Sequence, residues 1–106
     1  MTAREKHILA QLRDGLTTMY GDRLVRMVLY GSHARGDART DSDYDVLVVL
    51  RGRVSPSDEI DRTGQFVADL SLAHNTVISP VFMSARRFLR ERSPLLVNVR
   101  REGLRL

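Results

Sequence analysis

Hydrophobic residues near the start of the chain recur at the spacing of an α-helix. Apolar side chains occupy positions 8, 9, 12, 16 and 19, and Gly21 then interrupts the pattern. Thr2 and Glu5 precede this stripe with the spacing of a capping box, in which each side chain bonds the backbone of the other residue. The sequence therefore predicts a first helix from Ala3 to Tyr20.

Three later runs have the composition of β-strands, and they cover Leu24–Tyr30, Asp43–Leu50 and Thr76–Met83. The second run ends in five consecutive aliphatic residues, which is typical of a strand buried on both faces. The third run contains Pro80, which has no N–H for a ladder, so we predict an edge strand or a bulge there. Between the first two runs we expect one helical turn, Ser32–Gly36, and a polar loop.

Serine residues mark the starts of the remaining helices. Ser57 is the predicted N-cap of a third helix over residues 57–75. Two shorter helices are predicted over residues 84–91 and 93–103. The first begins at Ser84, and the second begins at the pair Ser93-Pro94. The apolar stripe of the third helix is formed by Ile60, Phe66, Val67, Leu70 and His74.

This order of elements predicts an α/β (α+β) fold, with a small mixed β-sheet of three or more strands flanked by helices. The 106 residues suffice for one domain, with a core over residues 3–83 and a basic helical C-terminal segment over residues 84–106. The absence of cysteine excludes disulfides and thiolate metal sites. Since neither a signal peptide nor an apolar run of membrane length is present, we expect a cytoplasmic protein without a membrane partner.

The charge of the chain is uneven. The net charge is +4, and from Arg86 onward seven arginines accompany only two glutamates. A basic end of this kind could meet phosphates or an acidic protein surface, or it could be the solvated face of arginine-rich helices. Aromatic residues make up only 6% of the chain, so stacking platforms for bases are lacking and nucleic acid is not expected as a direct substrate.

Candidate chemistry begins where the first strand ends. Gly31 follows the buried strand directly, and a residue without a Cβ lets backbone N–H groups approach a phosphate closely. Ser32 adds a hydroxyl donor and opens a helical turn, whose free N–H groups favour an anion. These two residues suit the phosphates of a nucleotide. His33 lies in the same turn, where we expect a structural role rather than the orientation of a substrate.

Two aspartates begin the second strand. Asp43 and Asp45 stand two residues apart, so both project from one face with Cα atoms about 6.5–7 Å apart. Carboxylate oxygens at that spacing can hold Mg²⁺, which prefers hard oxygen ligands and leaves its other positions to phosphates and water. Tyr44 between them points to the opposite face and is expected to pack in the core.

The combination resembles the signature of the DNA polymerase beta-type nucleotidyltransferases, and the short chain is similar to their minimal nucleotidyltransferase (MNT) branch. The matching segments are Gly31-Ser32, Ala34-Arg35-Gly36 and Ser42-Asp43-x-Asp45 before a hydrophobic strand. The resemblance implies the nucleotidyltransferase fold, binding of a triphosphate by Gly31 and Ser32, and ligation of catalytic Mg²⁺ by Asp43 and Asp45. Arg35 could contact phosphate, and a salt bridge to Asp37 or Asp41 is the equal alternative.

One position departs from the family pattern. Many members carry a third carboxylate near the middle of the following strand, where it can act as a general base. The best aligned residue here is Ser79, which is neither an anionic ligand nor a base at neutral pH. Asp69 is the nearest upstream carboxylate, but it lies on a predicted helix and is expected to face solvent.

The resemblance implies transfer of a nucleoside monophosphate, AMP from ATP or the equivalent from another triphosphate, to a protein hydroxyl. Members of the MNT branch are similar to antitoxins that neutralise a HEPN-type ribonuclease toxin by AMPylation, which makes such a toxin the expected partner. The alternative prompted by Ser79 is a weak or inactive nucleotide-binding antitoxin that acts by direct protein contact. A small-molecule nucleotidyltransferase would carry an added helical domain, which these 106 residues do not contain, so that class of enzyme is not expected. The sequence is also compatible with a homo-oligomer.

Overall fold

Three strands of the sheet correspond to the predicted hydrophobic runs. In a computed structural model that describes residues Met1–Leu106, β1 spans Leu24–Tyr30, β2 spans Tyr44–Leu50 and β3 spans Ile78–Ser84. β1 and β2 are antiparallel, whereas β2 and β3 are parallel, so the sheet is mixed as predicted. β3 forms one edge of the sheet, which is where a strand containing a proline is tolerated.

A fourth strand corrects the expectation of a wholly helical C-terminal segment. β4 spans Leu104–Arg105 and pairs antiparallel with β1, which gives the strand order β3-β2-β1-β4. The backbone N–H of Leu106 extends this pairing by donating to the carbonyl of Met27 at 3.0 Å. A two-residue strand is too short to produce an alternating pattern, so it could be found only from its partner strand.

Five helices complete the fold: α1 Ala3–Tyr20, α2 Ser32–Arg35, α3 Pro56–Ala73, α4 Ala85–Arg90 and α5 Pro94–Glu102. The predicted capping box is present at the start of α1, where the Thr2 hydroxyl accepts from the Glu5 N–H and the Glu5 carboxylate accepts from the Thr2 N–H. None of the helices combines the length and the apolarity needed to cross a membrane.

The start and the buried face of α3 differ from the prediction. Ser55 rather than Ser57 holds the N-cap position, because Pro56 takes the first helical position that its fixed φ favours. Ile60 is 52% exposed, whereas Glu59 beside it is buried and accepts a hydrogen bond from the Tyr20 hydroxyl at 2.8 Å. A buried carboxylate that accepts a hydrogen bond can replace an apolar residue on this face.

The sheet is covered on both sides, as the continuous apolar run of β2 predicts. On one side Val46 and Val48 pack in a cluster with side chains from α1 and α3. On the other side Leu47 and Val49 pack in a smaller cluster with side chains from α4 and α5. Successive side chains of a strand alternate between faces. Tyr44 therefore turns into the α1–α3 layer, and Asp45 faces the side that α5 covers.

Candidate active site

Gly31 and Asp45 lie against one another at the end of the β1–β2 pair. Asp45 is the register partner of Tyr30, and Gly31 follows Tyr30 directly. A Cβ placed on Gly31 would overlap the Oδ2 atom of Asp45 and lie 3.3 Å from its Cγ atom. Gly31 also has φ of 78°, which side-chain-bearing residues rarely adopt. The glycine thus creates the space in which the Asp45 carboxylate meets the turn.

Asp43 lies close to the Asp45 carboxylate. β2 begins at Tyr44, so Asp43 is the residue before the strand and not its first residue, and its side chain is exposed. Burial raises the pKa of Asp45 above its usual value, and the negative charge of Asp43 raises it further. His33 and Arg35 act in the opposite direction and lower the pKa of Asp45.

The chemistry of this pair fits a hard divalent cation. Two neighbouring carboxylates, of which one is disfavoured in its charged form, gain from a shared positive charge. No set of three or more His, Asp or Glu side chains converges anywhere in the structure. Asp43 and Asp45 would therefore supply two oxygen ligands to Mg²⁺, and the triphosphate and water would supply the others.

The donors of the turn face a carboxylate that the sequence did not indicate. Glu102, at the end of α5, accepts a hydrogen bond from the Gly31 N–H at 3.4 Å and another from Arg35 Nη1 at 3.1 Å. Arg35 Nε also donates to Asp37 at 3.3 Å, so Asp37 and not Asp41 is its neighbour in the loop. A carboxylate is an anion like a phosphate, and Glu102 thus occupies donors predicted for the nucleotide.

Glu102 could not be found from the local sequence because 71 residues separate it from Gly31. The only signal was its place among the arginines of the C-terminal segment, where a lone acid looks like a solvated residue. Ser32 is half-buried in the same turn, and its carbonyl accepts from the Gly36 N–H at 3.0 Å and from the Asp37 N–H at 3.1 Å. The turn is therefore closed by its own backbone.

Ser79 lies on β3 next to Asp45. The two residues are register partners in the parallel β2–β3 pair, so Ser79 stands beside Asp45, and no residue of β3 is acidic. Asp69 is exposed on α3, where its carboxylate accepts a hydrogen bond from Gln65 at 2.8 Å. No third His, Asp or Glu side chain completes a metal-binding set with Asp43 and Asp45.

His33 turns away from the site and into the protein, as expected for a structural role. Its side chain is 7% exposed and contacts Glu5 and the backbone of Ser42. Tyr44, predicted to pack, is fully buried and stacks on the His33 ring. These residues form the layer beneath the aspartates.

Comparisons with known proteins show the family to which the chain belongs. The family model of the nucleotidyltransferase domain matches residues 9–98. A Methanocaldococcus jannaschii protein with the provisional name of protein adenylyltransferase is 31% identical over 74 residues, covering 70% of this chain and 74% of that protein. A second M. jannaschii protein with the same provisional name is 30% identical over 84 residues, or 79% and 78% of the two chains.

Solved structures share the fold. A structure described as a minimal nucleotidyltransferase superposes with a TM-score of 0.59 and 26% identity, over 96% of this chain and 91% of the other. A toxin–antitoxin crystal structure with AMP-PNP gives a TM-score of 0.61 at 22% identity, over 98% and 72% of the two chains. The matched family model spans the turn, the aspartates and all three long strands. The chain therefore belongs to the nucleotidyltransferase domain family.

Proposed function

We propose that this nucleotidyltransferase moves AMP from ATP, with Mg²⁺, to a hydroxyl group of a partner protein, and that the partner is a HEPN-type toxin. The observation that carries the proposal is the contact between the Gly31 turn and the Asp45 carboxylate, with Asp43 beside it. A metal held by the aspartates would there lie next to phosphates held by the turn. The base of the nucleotide is inferred from relatives whose names refer to adenylyl transfer.

In this proposal each side chain has one task. The Gly31 N–H, the Ser32 hydroxyl and the Arg35 guanidinium bind the triphosphate, and Asp43 and Asp45 hold the metal. When bound, Mg²⁺ would neutralise charge on the triphosphate and on the departing pyrophosphate. Glu102 leaves the donors that it occupies in the present structure when the nucleotide arrives.

The transfer exchanges one phosphorus–oxygen bond for another. The acceptor hydroxyl oxygen forms a bond to the α-phosphorus, and the bond from that phosphorus to the oxygen bridging to the β-phosphate breaks. Pyrophosphate leaves, and the hydroxyl proton passes to solvent because Ser79 offers no base beside Asp45. Catalysis then depends on positioning and electrostatic stabilisation, which are the main contributions in phosphoryl transfer.

A protein acceptor fits the exposure of the site. Asp43 and Arg35 are exposed, so a hydroxyl carried by another protein can reach the aspartates without an opening step. One similar structure contains a tri-AMPylated HEPN toxin from Shewanella oneidensis with its MNT antitoxin, at a TM-score of 0.53 and 20% identity over 96% and 67% of the two chains. That assembly supports a toxin of the HEPN class as the partner of this chain.

A transfer assay tests the proposal. The chain is incubated with Mg²⁺, ATP labelled at the α-phosphate, and a HEPN-type toxin as the candidate acceptor, and label on that toxin is measured. We expect labelling by the wild type and a loss of at least about 100-fold in the Asp43→Asn/Asp45→Asn double variant. Asp69→Asn is the matched control, since Asp69 is an exposed carboxylate outside the site. Equal labelling by the double variant would remove the aspartates from the mechanism.

The second candidate function is neutralisation by contact, with little or no catalysis. It is favoured by Ser79, which leaves the site without the third carboxylate of many family members. On this alternative the double variant still neutralises the toxin as well as the wild type. Ser79→Asp distinguishes the two further, because an added carboxylate beside Asp45 should raise the transfer rate only if transfer is the function.

A further inference from the structure

The buried side chain of His33 joins two parts of the protein that are distant in sequence. Its Nδ1 atom lies 2.7 Å from Oε2 of Glu5 on α1, and its Nε2 atom lies 3.0 Å from the carbonyl oxygen of Ser42. The ring stacks on Tyr44, with the ring centroids 3.7 Å apart and the planes inclined by 10°. The histidine therefore contacts the residues on both sides of Asp43.

The Oε2 atom of Glu5 lies within hydrogen-bond distance of Nδ1, and this contact is the first cause that lowers the pKa of Glu5 to about 2. The ring is thus held at both of its nitrogen atoms, by α1 on one side and by the residue before Asp43 on the other.

Glu5 is held on its other side as well. Its Oε1 atom accepts the Thr2 N–H at 2.7 Å as part of the capping box of α1. The start of the loop before Asp43 is bonded to the turn through Asp37, and its end is held by bonds between Arg39 and Ser42 at 2.8 and 3.1 Å. His33 is consequently the side chain that connects this loop to a long helix.

We propose that the Glu5–His33 pair is a positioning device that fixes the Asp43–Asp45 segment against the Gly31 turn. The ring holds the Ser42 carbonyl and the Tyr44 ring, so the carboxylate of Asp43 keeps its place relative to that of Asp45. The pair touches neither the nucleotide nor the acceptor, and it acts only through the aspartates. This inference rests on the proposed role of Asp43 and Asp45 in metal binding.

Three variants test the pair. His33→Phe keeps the ring stacked on Tyr44 but removes both hydrogen bonds, and Glu5→Gln keeps an oxygen for the helix cap but removes the charge. Thr2→Ala is the matched control, because it removes the capping hydroxyl and leaves the Thr2 N–H and the Glu5–His33 contact in place. The measurements are Mn²⁺ affinity in the presence of a non-hydrolysable ATP analogue, kcat and KM for ATP, and the melting temperature.

We expect His33→Phe and Glu5→Gln to weaken Mn²⁺ affinity and to lower kcat by about tenfold or more, as changes to residues supporting metal ligands do. KM for ATP should change less than twofold, and Thr2→Ala should lower only the melting temperature. The inference is overturned if folded His33→Phe binds Mn²⁺ like the wild type, or if Thr2→Ala weakens binding equally. If His33→Phe does not fold, the Mn²⁺ affinity of Glu5→Gln is the deciding measurement, and an affinity equal to that of the wild type overturns the inference. A wild type that binds no Mn²⁺ would instead remove the proposed function, and the inference with it.

Discussion

At the scale of single residues, Gly31 carries the strictest requirement in the site. Its φ of 78° disfavours any side chain, and the Asp45 carboxylate fills the space where a Cβ would stand. Gly52 has φ of 83° with no atom within 4 Å of a Cβ, so it shares the first constraint and lacks the second. A substitution at Gly52 therefore reports backbone strain alone, whereas one at Gly31 reports strain together with the loss of space for Asp45.

Gly31→Ala should lower stability and abolish nucleotide transfer, whereas Gly52→Ala should lower stability alone. Each substitution places a side chain at positive φ, which costs about 1–3 kcal/mol. Only the Gly31 variant displaces the Asp45 carboxylate. Urea denaturation and the transfer assay measure the two effects. An active Gly31→Ala variant would show that the close approach of turn and aspartate is unnecessary.

Glu5 gives the chain a predictable dependence on acid. Its pKa falls from an ordinary value of 4.5 to about 2 in the folded protein, first because of the His33 hydrogen bond. A depressed pKa contributes stability that is complete above the unfolded value and is lost as pH falls through the folded value. The wild type should thus be more stable than Glu5→Gln at pH 6, and the difference should shrink between pH about 4.5 and 2. Denaturation midpoints of the two proteins across that pH range measure the difference in stability. A difference that does not change with pH would contradict the low pKa of Glu5.

At the scale of elements, the contact of α5 with the Gly31 turn is the feature with the clearest consequence. Glu102 ends α5, directly before β4 pairs with β1. The strand pairing holds the end of the helix near Gly31, where the carboxylate accepts from two donors that the nucleotide is proposed to use. Glu102 would therefore compete with the proposed triphosphate for the same donors.

Glu102→Gln should strengthen nucleotide binding by about three- to tenfold, which corresponds to roughly 0.7–1.4 kcal/mol. The substitution removes a negative charge that must leave the Gly31 and Arg35 donors before phosphates bind. Glu91→Gln is the matched control, because Glu91 pairs with Arg87 in the same basic segment away from the turn. Fluorescence titration with a labelled ATP analogue measures the change. Weaker binding would mean that Glu102 orients Arg35 for the nucleotide.

The elements that could be predicted from the sequence are those with local signals. The capping box fixed the start of α1, and the aliphatic run of β2 required cover on both faces. The spacing of Asp43 and Asp45 after Gly31 predicted that the aspartates would face the turn, and Asp45 does contact Gly31. Glu102 and β4 were missed because both are defined only by tertiary partners. Ser57 was mistaken for the cap because Pro56 has the stronger preference for the first helical position.

At the scale of the whole molecule, the arrangement of layers decides where chemistry can occur. α1 and α3 cover one face of the sheet, and α4 and α5 cover the other as far as Glu102. The aspartates lie at the end of β2 where that second layer stops, so the core is closed while Asp43 remains exposed. The site is therefore open to solvent, which is the exposure that the proposed protein acceptor requires.

The central claim is that the turn and the aspartates form one site for a metal–triphosphate complex. Calorimetric titration with a non-hydrolysable ATP analogue, with and without Mg²⁺, tests it most directly in the wild type and in Asp43→Asn/Asp45→Asn. We predict Mg²⁺-dependent binding by the wild type, and affinity at least about tenfold weaker in the double variant with no loss of melting temperature. Equal affinity in the two proteins, or affinity that does not change when Mg²⁺ is removed, would contradict the account.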